Sequence, residues 1–471
     1  MFARLKECKS IKEIYDVLGR EPFEKVAVVL LILWSMLPLP SILTHAMWAG
    51  KNVEGYVYRF HMLSKYQVTV MFMGLLTIQF VIVYGLGLIL WNKGSIKQSF
   101  VDFFKKEPWN IFFIALLIWS GICTLCSKDI HTSFFGTWYR YDGLLTYFYY
   151  AAVYMCAHII KDERRRKKIF GSYAIVSVIM GICLLLQDYG VIDGVFRSQR
   201  ATVFNQFNHM GYYLNMSVLV MTGLYLMEDN IKLKILYAAG MTFQLFCLLV
   251  NNTFGGYLGT VAGVVCVCII YAISTHRNKC IIIPLAVLIV LSIMSMADMI
   301  PSSAGENVGR DLRKLAHDTR SIITEADDME SAGTGRMVLW KACFKMIPES
   351  PVVGYGPEQL NDKYSGAMLP WTDRPANEYI QHMVFLGIPG LLFYLASLIT
   401  MLVCQLKGIK KLTLTTIAAA GCVIAYAVCA FTGNTMFYTT PYMFMFLGLA
   451  AKNVHNYDYD TSQDMSERLK G

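Results

Sequence analysis

Charge is what this chain has least of. Only 16% of its 471 residues are Asp, Glu, Lys or Arg, against about a quarter in soluble domains. With 55% of residues hydrophobic, that shortage excludes a disordered chain, a disulfide-stapled secreted domain and a soluble enzyme. Also missing are a P-loop, a dinucleotide-binding glycine pattern and an HExxH motif, so nucleotide-driven pumping and metalloprotease chemistry find no support. The cysteines form no disulfide framework: Cys156, Cys183, Cys247, Cys268 and Cys422 fall inside apolar runs and read as small core residues. Cys123 and Cys126 make a CxxC, but in an apolar run away from the partners of a redox or zinc site. His209 and His382 read as hydrogen-bonding residues at helix ends and not as metal ligands, so no metal and no cofactor is expected.

What the chain does have is long apolar runs, nearly end to end. Blocks of roughly twenty residues, the length that crosses a bilayer as a helix, run over about 26–47, 68–91, 109–126, 144–160, 169–187 and 208–227. Six more follow at about 233–250, 255–274, 280–299, 379–405, 412–431 and 439–452. The fold class expected is all-α: a polytopic membrane helical bundle of about 12 transmembrane helices with one large extracytoplasmic loop. Residues 1–25 form a cytoplasmic amphipathic segment, 26–299 the first nine spans, 300–378 the large loop, 379–452 the last three spans and 453–471 a cytoplasmic tail.

The formal net charge of +9 does not call for nucleic acid, because the basic residues sit in short loops where membrane topology accounts for them. With the N-terminus inside, one side collects Arg4 to Lys25, Lys93 to Lys106, Lys161 to Lys168, Lys232, Lys234, Arg277, Lys279 and Lys407 to Lys411. The short loops opposite hold only Lys51, Arg59, Lys65, Lys128, Arg140, Arg197 and Arg200. Both termini are therefore expected in the cytoplasm, and the large loop outside. Asp298 to Glu330 reads as a polar helix or mobile stretch, whereas Met337, Trp340, Phe344 and Ile347 recur at helical spacing until Pro348 and Pro351 end the pattern.

The unusual residues fall on the outside. Trp138 and Arg140 lie in Gly136-Thr-Trp-Tyr-Arg-Tyr-Asp-Gly143; Arg200, Asn205 and Asn208 in the segment ending at His209; Arg336, Trp371, Arg374, Asn377, Glu378 and Tyr379 in the large loop. Arginines beside aromatics and amides suit a ligand with phosphate and sugar parts, since guanidinium forks phosphate oxygens and aromatic faces stack on sugar rings. An aromatic belt and lipid phosphate account as well for Trp138 to Tyr141, and Arg200 has Asp188 or Asp193 as alternative partners.

In order along the chain stand a GTWYRYDGLL block, an R-x-x-x-F-N-x-x-N block, an N-T-x-G-G-Y-L-G block at Asn252 to Gly259, a G-R-x-x-x-W helix, P-x-x-G-x-G at Pro351 to Gly356, and N-E-Y entering a helix with G-I-P-G-L. This ordered set over roughly residues 110 to 450 resembles the O-antigen ligase and O-antigen polymerase superfamily. The resemblance implies a metal-independent glycosyltransferase of the large helical, lipid-donor class in the plasma membrane of a bacterium, active on its outer face. Its partners would be an undecaprenyl-diphosphate-linked glycan as donor, a glycan or lipid acceptor, the bilayer, and polysaccharide assembly proteins. Glu378 and Arg336 are the catalytic candidates. Arg200, Arg140, Arg374, Asn205, Asn208, Asn377, Trp138, Trp371 and Tyr379 are the substrate-binding ones.

Two departures matter. Ligases of the family typically carry His-Asn where this chain has Ala376-Asn377, and often Arg where it has Phe254. An alanine accepts no proton, so the base is another residue such as Glu378, Asp373 or His209, or a base is not essential, or the reaction is lost and the chain is an inactive scaffold. A lipid-linked oligosaccharide flippase is the remaining alternative, although the spans show neither mid-membrane charge nor halves related by repeat.

Overall fold

The computed structural model describes residues 2–49, 55–91, 101, 104–105, 107–192, 194–196, 198–204, 206–301, 309, 336–360 and 374–450. Among the described residues every regular element is helical. Backbone in lipid must satisfy its N–H and C=O groups within the protein, and a helix does so residue by residue. We number the helices in chain order: α1 (Phe2–Glu7), α2 (Ile11–Leu18), α3 (Glu21–Met36), α4 (Pro38–Trp48), α5 (Gly55–Trp91), α6 (Trp109–Leu125), α7 (Ile130–Phe135), α8 (Leu144–Ile159) and α9 (Glu163–Asp188). Then come α10 (Phe207–Met227), α11 (Ile231–Asn251), α12 (Phe254–Thr275), α13 (Ile282–Met296), α14 (Arg336–Met346), α15 (Glu378–Lys407), α16 (Leu414–Cys429) and α17 (Thr440–Ala450).

Among the described residues each of the twelve apolar blocks is mainly helical. Eight of the helical stretches among the described residues are long and apolar enough to cross a bilayer: Glu21–Trp48, His61–Trp91, Glu163–Asp188, Ile231–Asn251, Phe254–Thr275, Asn278–Met296, Glu378–Lys407 and Leu414–Thr432. Helices α6, α8 and α17 are apolar but shorter. Helix α10 is buried along its length from His209 to Leu226 and stands as a post between α11, α12 and α16. Because lipid is as apolar as leucine, such helices hold together by close packing across small residues. At Gly259, on the seam between α12 and α16, an added Cβ would strike the Ala425 carbonyl oxygen.

The N-terminal amphipathic segment is not one continuous helix. Gly19, at φ 62°, ends α2, and α3 begins at Glu21. Tyr15 anchors α2: its ring stacks on Phe23 at 5.8 Å and its hydroxyl donates to the Val83 carbonyl at 2.9 Å.

Basic residues assigned to the inside gather at one end of the bundle. Arg165 pairs with Glu21 at 3.0 Å and Glu24 at 2.9 Å, Lys167 with Glu228 at 2.8 Å, and Arg277 with Asp229 at 3.1 Å. The buried Arg166 donates to the Leu449 carbonyl at the C-terminal end of α17, where a cation suits the helix dipole. The opposite end, outer by the charge pattern, is built differently. Non-helical backbone from four places meets there: Ser133 bonds the Pro357 carbonyl, Thr137 bonds Glu358, and Arg374 bonds both Asp142 and the Thr435 carbonyl.

Helix α15 explains the crowding. Gly387 stands inside it at φ 70°, ψ 179° and splits it into two arms. Open carbonyls at the break are met by the Pro351-to-Gly356 turn: Tyr355 N donates to Val384 O and Gly356 N to Phe385 O, each at 2.9 Å, while Ile388 N donates back to Pro351 O at 2.8 Å. Trp119 Nε1 donates to Leu386 O at 2.8 Å, and the Cys123 thiol lies 3.7 Å from the same oxygen. The P-x-x-G-x-G and G-I-P-G motifs are thus two halves of one latch. The first arm, Glu378 to Leu386, is about 13 Å long at 1.5 Å per residue. Tyr394, beyond the break, bonds back to Glu378 at 3.0 Å, so the arms lie side by side. Glu378 also shares a cavity wall with Phe113 and Leu116, well below the Trp119 and Cys123 that meet the break. The segment Arg374 to Asn377 therefore dips into the bundle before α15 climbs out to Gly387 and turns down again.

Candidate functional site

Local chemistry fixes the dip. Ala376 takes φ 51°, a left-handed conformation that alanine adopts rarely and Asn or His more readily. Asn377 then caps α15, its side-chain oxygen accepting from Tyr379 N and Ile380 N at 3.0 Å each. Its amide nitrogen donates to Phe431 O at 3.2 Å. Tyr379 donates to Ala427 O at 2.7 Å and lays its ring on Phe431 at 4.6 Å. With cap and tyrosine pinned to α16, Glu378 is held facing inward and is 1% exposed.

Glu378 is surrounded by hydroxyls. Tyr394 donates to one carboxylate oxygen and Tyr426 to the other, both at 3.0 Å, and His382 Nε2 lies 3.7 Å from the first. Tyr426 also meets Thr440 Oγ1 at 2.9 Å. A buried carboxylate needs such partners, and its place in the first turn of α15 adds the favourable end of the helix dipole.

Beside it lies a second buried cluster. The Arg374 guanidinium, 2% exposed, pairs with Asp142 at 3.2 Å and with Glu358, and donates to Thr435 O at 2.6 Å. Tyr150 donates to the other Asp142 oxygen at 2.6 Å, Thr137 to Glu358 at 2.8 Å, and Gln381 Nε2 to Thr435 Oγ1 at 2.6 Å. One arginine thus clasps the 136–143, 351–360, 374–377 and 430–439 segments around the Glu378 pocket. Asp142, Glu358 and Thr435 were not singled out from the sequence. Asp142 sits in the quoted GTWYRYDG block and Glu358 just past P-x-x-G-x-G; what the sequence does not show is that Arg374 joins them, reaching Asp142 across 232 residues.

Arg336, Arg200, Arg140, Trp138 and Asn208 are not among the residues that line this pocket. Arg336 opens α14 and is half-buried. Trp340, on the same helix, donates to Pro375 O at 2.9 Å and fastens α14 to the dip. Arg200 has φ 55°, donates to Asn251 O at 3.3 Å and covers the Phe207 ring at 5.3 Å, while Asn251 donates back to Arg200 O at 2.8 Å. Of the acidic partners weighed for Arg200, Asp193 lies outside the described residues. Thr253 accompanies Asn251, so the R-x-x-x-F-N-x-x-N and N-T-x-G-G-Y-L-G blocks hold each other. Gly255 on α12 abuts Thr432 and the Cys429 carbonyl. Arg140 reaches Met436 Sδ at 3.9 Å and overlies Tyr139 at 5.7 Å; Trp138 is 59% exposed. Asn208 is half-buried in the first turn of α10. Asn205, Trp371 and Asp373 lie outside the described residues.

His209, the other candidate base, is buried with Nδ1 2.6 Å from the Tyr438 hydroxyl. His382 is no helix-end residue: it lies one turn into α15 beside Glu378, a spacing legible in the sequence and passed over there. Burial, then the bond to Glu349, push the Tyr355 hydroxyl pKa above the ordinary tyrosine value. Among the described residues no three His, Cys, Asp or Glu side chains gather into a metal-binding group.

Residues 239–395 match a family model described as O-Antigen ligase. The match supports membership of the O-antigen ligase superfamily. It runs from α11 to the second arm of α15, so it takes in Arg336, Glu358, Arg374, Asn377, Glu378 and the Gly387 break. Arg140, Asp142, Arg200 and Thr435 lie outside the O-antigen ligase match and reach it only through the contacts above. No curated protein matches the chain.

Proposed function

We propose that this multi-pass membrane protein is a glycosyltransferase that takes a glycan from an undecaprenyl-diphosphate donor and passes it to an acceptor hydroxyl at the outer face of the cytoplasmic membrane. The supporting observation is the buried carboxylate: Glu378, held by Tyr394 and Tyr426, lies inside the segment that matches the O-antigen ligase family. Diphosphate is a good leaving group, so the protein's work is to hold its charge and to position and deprotonate a hydroxyl. Arg336 and Arg200 hold the diphosphate; Trp138, Arg140, Asn208 and Tyr379 meet sugar. Glu378 accepts the acceptor proton. Arg374, with its guanidinium committed to Asp142, Glu358 and Thr435, shapes the pocket. No step in this scheme calls for a metal.

The test is reconstitution in proteoliposomes with a polyprenyl-diphosphate glycan and a panel of glycan and lipid acceptors. Release of free polyprenyl diphosphate together with an extended acceptor is expected. Movement of intact donor between leaflets without release would replace this function with transport. The alanine at position 376 favours one other reading, a donor-binding scaffold, which would bind donor and transfer nothing.

A further inference from the structure

The basic run Arg164 to Lys168 lies in the first turns of α9, at the inner end of the bundle. The charge pattern counts its members alike, but the fold separates them. Arg165 pairs with Glu21 and Glu24, the buried Arg166 with Glu163 at 2.9 Å, and Lys167 with Glu228. These three are spent on protein. Arg164 and Lys168 are exposed, and among the described residues neither side chain makes an ion pair. The carboxylates beside them are engaged elsewhere: Asp162 caps α9 by accepting from Arg164 N at 2.7 Å and Arg165 N at 3.2 Å, and Glu163 holds Arg166 and accepts from Thr415 at 2.6 Å.

The helical period shows what the two cations face. Arg166, Phe170, Tyr173, Ser177 and Leu184 mark the buried side of α9. Arg164, Lys168, Gly171, Ile175 and Ile182 recur at the spacing of one stripe on the other side. Ile175 is 67% exposed and Ile182 46%, so in a membrane-spanning helix this stripe is the one that meets lipid. Lys168 stands about 10 Å along the axis from Ile175, at 1.5 Å per residue, which puts the cations at headgroup level when the isoleucines lie among acyl chains. Between them Gly171 leaves a notch, since an added Cβ there meets nothing within 4 Å. Helices α3 and α11 pack against α9 and carry the exposed Val29 and Leu236, so the apolar surface continues onto its neighbours.

We infer that Arg164, Lys168 and the Gly171 notch form a binding site for an anionic phospholipid of the inner leaflet. The lipid phosphate lies between the guanidinium and the ammonium, whose residues are one turn apart with about 5–6 Å between Cβ atoms. An acyl chain runs along Gly171, Ile175 and Ile182. Long basic side chains at the end of a span keep their stems on apolar surface and their charges among headgroups. A free phosphate would meet the two charges and gain nothing from the apolar line, so the lipid is the occupant that uses the whole stripe. The neighbouring cations give the site a structural consequence. Arg165 ties this turn to α3, Arg166 to the end of α17 and Lys167 to Glu228 at the end of α10, so a lipid seated on α9 braces the junction of four helices. The site is independent of the glycan transfer proposed above.

The experiment measures lipid retention by native mass spectrometry and melting in detergent, with dioleoyl phosphatidylglycerol, dioleoyl phosphatidylcholine and chain-free glycerol phosphate as probes. The proteins are the full-length wild type, the double variant Arg164→Gln with Lys168→Gln, Gly171→Leu, and a control, Lys410→Gln with Lys411→Gln, that removes equal charge elsewhere at the inner end. The wild type and the control should hold phosphatidylglycerol about thirtyfold tighter than phosphatidylcholine, the worth of two basic residues at the surface. In the double variant that preference should nearly vanish, and either substitution alone should lower it about fivefold. Gly171→Leu should weaken phosphatidylglycerol by about tenfold, the worth of two buried methylenes. Glycerol phosphate should leave the melting temperature unchanged, whereas phosphatidylglycerol raises it. A wild-type preference in the double variant, or an equal loss in the control, would overturn the site. Unchanged binding in Gly171→Leu, or stabilisation by glycerol phosphate equal to that by the lipid, would overturn the lipid as its occupant.

Discussion

Gly387→Ala tests whether the latch between the 351–356 turn and the break in α15 holds the site together. At φ 70°, ψ 179° the backbone is in territory open essentially to glycine, worth about 1–3 kcal/mol of strain for any other residue. An added Cβ would also strike the Val352 carbonyl oxygen and lie 2.9 Å from that of Pro351. Backing the turn away relieves the clash but loosens three backbone hydrogen bonds of 2.8 to 2.9 Å, each worth about 1 kcal/mol net. Together the substitution should cost roughly 3–6 kcal/mol, a large part of the 5–15 kcal/mol that holds an ordinary domain folded. Because Glu378 and Tyr394 sit on opposite arms, a shift of about 1 Å at the break also misplaces the carboxylate, enough for a hundredfold loss of transfer. Thermal unfolding of the purified protein in detergent reads the first effect, and Trp119, bonded to Leu386, reports on the break by fluorescence. The control is Gly121→Ala on α6, where an added Cβ meets nothing within 4 Å; it should be neutral or slightly stabilising. If Gly387→Ala melts with Gly121→Ala and transfers glycan at the wild-type rate, the latch has no such role.

Arg374→Met should destabilise by about 3–5 kcal/mol, since it strands two buried carboxylates, whereas Asp142→Asn leaves the Arg374–Glu358 pair and should cost less; equal melting temperatures would contradict the clasp. At Arg200 and Arg336, Lys should be nearly as damaging as Ala for donor binding, tenfold or more, because it lacks the planar fork; wild-type turnover in all four variants would remove both arginines from the donor site. Ala376→His and Ala376→Asn fit a left-handed backbone better than alanine does, so both should fold normally and His should sustain or raise the transfer rate; unfolding by either would show that the dip tolerates no side chain. Cysteines placed at Ser303 and Ser466 should label from opposite sides of the membrane, and labelling from one side would break the topology.

The helices were legible because apolar length is a local signal, and each block could be counted without knowing its neighbours. The break in α15 was not, since Gly387 and Pro389 inside an apolar run look tolerable in one helix until Tyr355 and Gly356 supply hydrogen bonds to the open carbonyls. Likewise the arginines were found by their side of the membrane, yet their fates diverge through distant partners. Arg374 closes on Asp142 and Glu358, Arg200 on Asn251, and Arg336 opens a helix that Trp340 fastens to Pro375. Glu378 is the carboxylate nearest Ala376 in the sequence. Its two tyrosine partners, Tyr394 and Tyr426, come from beyond the break and from the next helix, and only the fold brings them there.

The most direct measurement is single-turnover transfer by wild type and Glu378→Gln, in the same proteoliposomes, with donor binding measured separately. The account predicts that both bind the polyprenyl-diphosphate glycan alike and that Glu378→Gln releases carrier slower by about a hundredfold or more, the range of a lost general base. Equal release by the two proteins, or donor binding by the wild type with no transfer to any acceptor tried, would contradict it.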